Sequence, residues 1–527
     1  MMIEGDLDLW QQANQARDTG NRELSKGLCL RMLQITTSRS RAHWLLSSIA
    51  LDECDMVTAV QQARQASLHG ASLPLHQRVA VTRQLITVGE FEEAWRILED
   101  MRQEAPADGV LVAIGEQLIM LGRHEDALAT LRAAHDLGIR HPMLSFLMAS
   151  ASRSLGHFDA AIAAAEETLH LQPDFAHAHW ALSQLGGLAD AAGRVDRIRD
   201  SIASLGGRGD SGSAQIRSGL ALLWHALFRE LDAMDDRPAA WIALSNGLAI
   251  KRSLQPHDRE AEDKLFEQLI TTYTAEFVRP RSTDTSVTPV FIVGMPRTGT
   301  TLVERIVTNH SLVAACGELD ELQLLVKRRA GRWSAGFLDV AIAGRLSDAN
   351  LDGLGDAYLA AVAWRIGEKR YLVDKHQSNF LLAGVILRCL PNARILHVRR
   401  DPMDACFSNL KEPFAAHAYS YSSNQRDVAN HYQNHDRLAR QLQQVAGDRI
   451  LEVHYEQLIH NQDHQSERIL EFSGLPSEPG VSDITRNRAP IASGSSVQVR
   501  EPVHARNVGA WQRYASHLGD MQAALDS

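Results

Sequence analysis

The segment GMPRTGTT, running from Gly294 to Thr301, has the residue types and spacing of an anion cradle. It follows the apolar run PVFIV that begins at Pro289, so a strand is predicted to run through a tight loop into a helix. In that arrangement backbone N–H groups and the helix N-terminus face one phosphate. The backbone of Pro296, Arg297 and Gly299 would form the cradle, and the hydroxyls of Thr298, Thr300 and Thr301 would add donors. A nucleotide triphosphatase places Lys-Ser/Thr after the second glycine, the lysine reaching the β- and γ-phosphates with Mg²⁺ nearby. Here Thr-Thr follows Gly299, and Arg297 is the one fixed cation of the loop. A single phosphate or phosphosulfate suits this loop better than a triphosphate.

A second anion site is predicted in RRDPMDACFS, which begins at Arg399. Arg400 stands at the end of the run ARILHV, and Ser408 follows eight residues later on the next helix. Arginine can grip a phosphate with two parallel hydrogen bonds, and serine adds a hydroxyl donor. Taken alone, Arg-Arg-Asp-Pro is also an ordinary capped helix start. Together the two sites fit a nucleotide with phosphates at two separate positions.

These groups need elements to position them. Apolar runs PVFIVG, YLVD from Tyr371, ARILHV from Ala393 and ILEVHY from Ile450 alternate with helical patterns. Such alternation predicts a parallel sheet covered on both faces, with ligands bound beyond the carboxyl ends of the strands.

The first half reads differently. VGEFEEAWRIL, LGRHEDALATL and LGHFDAAIAAA align without gaps on Gly89, Gly122 and Gly156. Five residues after each glycine comes Ala94, Ala127 or Ala161, and Pro106 and Pro173 close two of the units. Gly20 with Ser25 and Cys54 with Ala59 keep the register upstream, and Gly193 with Ile198 extends it downstream. The physical reading is a helix hairpin whose glycine turns the chain and whose small residue lets the helices touch. The pattern resembles the tetratricopeptide repeat, with its period near ~34 residues. That resemblance implies a solenoid with a concave groove for a protein partner, for packing on the second domain or for self-association into a homo-oligomer.

The expected organisation is therefore multidomain. An all-α repeat array spans 1–205, a helical connector and polar linker spans 206–285, and an α/β domain with a central parallel sheet spans 286–527. A net charge of −10 argues against a general nucleic-acid binder. Five cysteines without CxxC spacing fit a reducing compartment and no zinc site. The start MMIEGDLDLWQQ lacks an apolar secretory run, and no stretch is apolar for long enough to span a membrane. A cytoplasmic, soluble protein is expected. His417, His431, His435 and His454 lack metal-ligand spacing and read as surface or core residues.

The region from Pro289 to Tyr514 resembles the sulfotransferase family, whose donor is 3′-phosphoadenosine 5′-phosphosulfate (PAPS). PRTGTT resembles that family's 5′-phosphosulfate loop, and Arg400 and Ser408 match its 3′-phosphate motif. The nearest pattern is that of the tyrosylprotein sulfotransferases. Cys316-Gly317-Glu318 resembles their CGE segment, which implies Glu318 as catalytic base. Tyr455 opens YEQL, which implies a nucleotide contact, and Ser495, Ser496 and Gln498 fall in SSxQV, which implies contacts to donor and transferred group. Lys375 matches the lysine that stabilises the sulfuryl oxygens. The family commonly carries Lys or Arg before the tryptophan that follows SSxQV; here Ala510 precedes Trp511, and Arg506 or Arg513 is the candidate substitute.

The resemblance implies sulfuryl transfer to a hydroxyl, a peptide tyrosine or a phenolic small molecule, with no metal. Lys375 and Arg297 would offset charge on the sulfuryl group and leaving phosphate, and Ser495 would add a hydrogen bond. Two other readings compete: a P-loop kinase or triphosphatase, and a non-catalytic repeat scaffold that binds protein partners.

Overall fold

The computed structural model describes residues 4–71, 73–104, 109–185, 187, 190–207, 213–281, 286–414, 417–491, 494 and 496–527. Pro106 and Ser495 lie outside them. The chain divides into two compact units, Met1–Ile139 with Asp320–Ala335 and Asp348–Trp364, and Arg140–Leu319 with Gly336–Ser347 and Arg365–Ser527.

The first unit is built from helix hairpins. Helices Glu4–Asp18 and Arg22–Met32, Arg39–Asp52 and Met56–Leu68, Leu75–Val88 and Phe91–Gln103, and Val110–Met120 and His124–Asp136 form successive pairs. Each pair turns through one left-handed residue: Gly20, Cys54, Gly89 and Gly122 have φ of +80°, +61°, +89° and +73°. The turn repeats the same bond, in which the next N–H donates to a carbonyl five residues back. Asn21 donates to Ala16, Asp55 to Ala50, Glu90 to Leu85 and Arg123 to Leu118, at 2.7–2.9 Å. Ser25, Ala59, Ala94 and Ala127 are each fully buried where their helices cross. Cys54 thus holds the turn conformation without glycine, in register with its neighbours. The later segment of this unit packs onto the repeats: Trp364 stacks on Trp95 at 5.2 Å, and Trp333 N–H donates to the Cys54 carbonyl at 2.9 Å.

The second unit opens with the hairpin Pro142–Leu155 and Phe158–Leu171, turned at Gly156 (φ +79°). Pro173 follows its second helix. The expected turn at Gly193 is not found: Gly193 lies inside helix Ala191–Gly206, and Gly187 has the positive φ instead. Helices Ala214–Ala233 and Arg237–Leu254 share a core with Phe407, Leu410, Tyr514 and Leu518.

The sheet of this unit has five parallel strands: β1 Thr288–Gly294, β2 Val313–Ala315, β3 Tyr371–Asp374, β4 Arg394–Arg399 and β5 Ile450–His454. Their order is β2-β3-β1-β4-β5, so β1 lies at the centre between β3 and β4. Val290, Phe291, Ile292 and Val293 are fully buried, as expected of a strand covered on both faces. Strand β2 has only three residues, Val-Ala-Ala, and no apolar run announced it. Among the described residues no helix is long and apolar enough to cross a membrane.

The shared turn geometry predicts opposite effects at two positions. Gly20→Ala, where an added Cβ meets nothing within 4 Å, should cost about 1 kcal/mol through φ alone. Cys54→Gly should stabilise by about 0.5 kcal/mol, since relief of the turn exceeds glycine's entropy cost. Urea titration reads both; a stabilising Gly20→Ala would contradict the turn assignment.

Candidate active site

All five strands deliver a candidate group at their carboxyl ends. The loop GMPRTGTT follows β1, Glu318 follows β2, Lys375 follows β3, Arg400 follows β4 and Tyr455 follows β5. The convergence is geometric, because parallel strands all end on one side of the sheet.

The loop after β1 is tied down from behind. Asn409 Nδ2 donates to the Pro296 carbonyl at 2.7 Å, and Arg400 Nη1 donates to the Arg297 carbonyl at 3.1 Å. Arg297 sits at φ +67°, a conformation uncommon for a side-chain-bearing residue. Gly299 has φ +105°, and a Cβ there would lie 2.6 Å from the Tyr455 ring. Helix Thr300–Thr308 begins directly after it, and Thr300 and Thr301 line a cavity of about 360 Å³. The Thr298 hydroxyl donates to the Met295 carbonyl at 2.7 Å, within the loop itself.

The residues of the second candidate anion site line the same cavity as the loop after β1. Arg400 lies 4.9 Å from the Tyr455 ring centroid, so one aromatic ring bridges the β1 loop and the β4 loop. Arg400 also donates to the Asn507 carbonyl and lies 3.6 Å from Asp404. Its Nε is buried without a hydrogen-bond partner among the described residues. Ser408, on helix Pro402–Leu410, lines the same cavity. The C-terminal segment is fastened here by Asp404, which accepts from Gly509 N–H at 2.6 Å and Trp511 N–H at 3.2 Å. That bond pair brings Ala510 to the cavity wall. Arg506 pairs instead with Glu501 at 3.0 Å, and Arg513 with Asp232 at 3.0 Å. Gln498 lines the cavity, whereas Ser496 is buried off it.

The groups after β2 and β3 form a charged triad. The Cys316 N–H donates to Val373 O at 3.2 Å and the Lys375 N–H to Gly317 O at 2.8 Å, which sets the two loops side by side. Lys375 Nζ donates to Glu318 Oε1 and lies 3.8 Å from Glu304 Oε2. Gln377 Nε2 also donates to Glu318, at 3.2 Å. Burial opposes charge on Glu318, but Lys375 and His376 outweigh it and hold the carboxyl below its ordinary value. Burial likewise pushes Lys375 down, and the two carboxylates more than restore it, above the usual lysine value. Glu304 goes the other way: it is buried behind the cradle, and burial raises it despite Lys375.

Several lining residues had no motif to announce them. Lys411 and Glu412 follow Ser408, and Glu412 lies 3.7 Å from Arg297. Trp180, Phe228 and Arg229 come from the helical segment, so helices Ala176–Leu185 and Ala214–Ala233 form a wall of the same cavity. Arg229 is fixed there by a 2.9 Å bond to the Ser183 carbonyl. Among the described residues no group of three or more His, Cys, Asp or Glu could hold a metal ion.

Residues 289–479 match the model of a family described as "Sulfotransferase family". A protein of Aquifex aeolicus described as uncharacterized is 28% identical over 242 residues, which cover 44% of this chain and 31% of that protein. Protein-tyrosine sulfotransferase 2 of Gallus gallus is 26% identical over 242 residues, covering 42% of this chain and 62% of that one. The chain thus spans less than two thirds of the relatives it matches. A solved sulfotransferase domain from the curacin biosynthetic pathway is 16% identical with a TM-score of 0.30, covering 45% of this chain and 95% of the domain.

The bridge between Gly299 and Tyr455 is testable. Gly299→Ala should destabilise the protein by roughly 2–4 kcal/mol, from strain and overlap together. In a Tyr455→Ala background the overlap is gone and only about 1–2 kcal/mol should remain. Equal costs in the two backgrounds, read by denaturant titration, would contradict the contact.

Proposed function

We propose that the sulfotransferase-family domain containing residues 289–479 transfers a sulfuryl group from PAPS to an acceptor hydroxyl, with Glu318 as general base. The observation that carries this reading is the Glu318–Lys375 contact at the mouth of the cavity that also holds the lysine-free cradle and Arg400. The residues fit such a donor. Thr300, Thr301, Arg400 and Ser408 line one cavity, and the buried Nε of Arg400 lacks a partner among the described residues.

In the proposed step the acceptor oxygen forms a bond to sulfur while the bond from sulfur to the bridging phosphate oxygen breaks. The acceptor proton goes to Glu318, and the electron pair leaves with the phosphate of the bisphosphate nucleotide. Lys375 has three donor hydrogens. Glu318, which lines the cavity, and Glu304 engage two sides of the buried ammonium, and its remaining hydrogen would serve a sulfuryl oxygen. Arg297 and the helix N-terminus at Thr300 offset charge on the leaving phosphate. Ser495 would add a hydrogen bond to the transferred group.

A phenolic acceptor, a peptide tyrosine or a small phenol, fits best. A phenol near pKa ~10 gives its proton to a carboxylate more readily than an aliphatic alcohol does. Trp180, Phe414 and Tyr419 line the cavity and offer ring contacts for it. The helical segment would then help select the acceptor, and the repeats would present a protein partner or a second copy.

The test is incubation with radiolabelled donor and a panel of tyrosine peptides, phenols, sugars and lipids. Label on a phenolic hydroxyl is expected; a panel left unlabelled would overturn the proposal. Glu318→Gln should lower transfer by about 10²–10⁴-fold while nucleotide binding persists. The pH profile follows from the depressed carboxyl. A base must be ionised, so its limb should lie below the ordinary carboxyl value of 4.5, and the rate should be flat in pH across the neutral range. A limb near neutrality would point to another base.

A further inference from the structure

We propose that Lys411 binds the nucleotide's 3′-phosphate and supplies the charge that Ala510 does not. This rests on the donor proposed above and adds a ligand to it.

Ala510 stands where the family resemblance implies a lysine or arginine. Ala510 reaches the cavity with only a methyl group, through the clamp of Asp404 on its neighbours Gly509 and Trp511. The two nearby arginines are committed elsewhere. Arg506 is 72% exposed and paired with Glu501, and Arg513 is paired with Asp232 and Asp235. Neither lines the cavity.

Lys411 is placed to act instead. Helix Pro402–Leu410 ends at it, and Lys411 keeps helical geometry at φ −75°, ψ −16°. It therefore stands one turn beyond Ser408, on the same helix face. Ser408, Lys411 and Arg400 all line the cavity. The Lys411 ammonium lies over the Phe407 ring, 4.7 Å from its centroid, and makes no ion pair with any described residue. The ring and the helix thus aim the amine without neutralising it.

The surrounding charges point to an anion. Burial and the guanidinium groups of Arg297, Arg229 and Arg400 push the Lys411 amine down to about 8, against the pull of Asp232. The nearby acids are themselves engaged. Asp232 accepts from Tyr514 and pairs with Arg513, Glu412 lies beside Arg297, and Asp404 faces Arg400 and two backbone N–H groups. A phosphate dianion at Ser408 would supply the countercharge this cluster lacks. An anionic group on the acceptor shares that chemistry, so the test separates the two.

Calorimetric titration of the full chain with adenosine 3′,5′-bisphosphate and with adenosine 5′-monophosphate makes the distinction. Wild type should prefer the bisphosphate. Lys411→Met should weaken the bisphosphate by about 10- to 100-fold and change the monophosphate by less than about twofold. Lys411→Arg should keep most of the affinity, and Ala510→Lys added to Lys411→Met should restore part of it. Unchanged bisphosphate affinity in Lys411→Met, with wild type still discriminating, would overturn the role of Lys411 and leave the donor reading intact. Equal loss of both nucleotides would overturn it too. So would a raised acceptor KM with donor binding unchanged, which would move Lys411 to the acceptor side. A wild type that does not distinguish the two nucleotides would overturn the donor reading, and this inference with it.

Discussion

Five strands that run parallel must release their chains at one edge, and the chemistry of the second unit depends on that constraint. The order β2-β3-β1-β4-β5 puts the cradle at the centre of the edge. Glu318 and Lys375 then arrive from one side, and Arg400 and Tyr455 from the other. No long excursion is needed to assemble the cavity, because Glu318, Lys375, Arg400 and Tyr455 each lie within three residues of their strand ends and the cradle within seven. The Tyr455 ring, held between Arg400 and Gly299, fixes the spacing across the right-hand side of the edge. The backbone bonds from Cys316 and Lys375 fix it on the left.

The electrostatics follow from what each side must tolerate. On one side a buried lysine stands between two carboxylates, so it stays charged despite its burial. Its two partners separate: the more exposed Glu318 is driven toward the anion, and the buried Glu304 toward the acid. Environment alone gives two glutamates different protonation behaviour around one cation. On the other side Arg297 and Arg400 face Glu412 and Asp404, while Lys411 makes no ion pair with any described residue, an arrangement that suits an anionic ligand.

The sequence revealed the elements that carry strong local signals. Strand β1 is a continuous apolar run before a glycine frame, and Arg400 with Ser408 sits at a strand-to-helix junction. The repeats declared themselves by period, and Cys54 kept the register because the turn bond is made by backbone, not by glycine itself. Strand β2 was illegible. Three residues, two of them alanine, give no β signal, so Glu318 could be reached only through its resemblance to a known motif. Gly193 is the complementary case: it stands in register with the turn glycines, yet helix Ala191–Gly206 runs through it. Glu304, Lys411, Trp180 and Arg229 belong to no motif. Their place depends on which helix faces bound the cavity, a property of packing that spacing along the chain does not encode.

The central claim is that a cradle without a Walker lysine holds a phosphosulfate nucleotide and not a triphosphate. Its most direct measurement is a calorimetric comparison of adenosine 3′,5′-bisphosphate with ATP, each in the presence of EDTA and of Mg²⁺. The account predicts that the bisphosphate binds equally well in both buffers and more tightly than ATP. Binding and turnover of ATP that require Mg²⁺, with no binding of the bisphosphate, would contradict it.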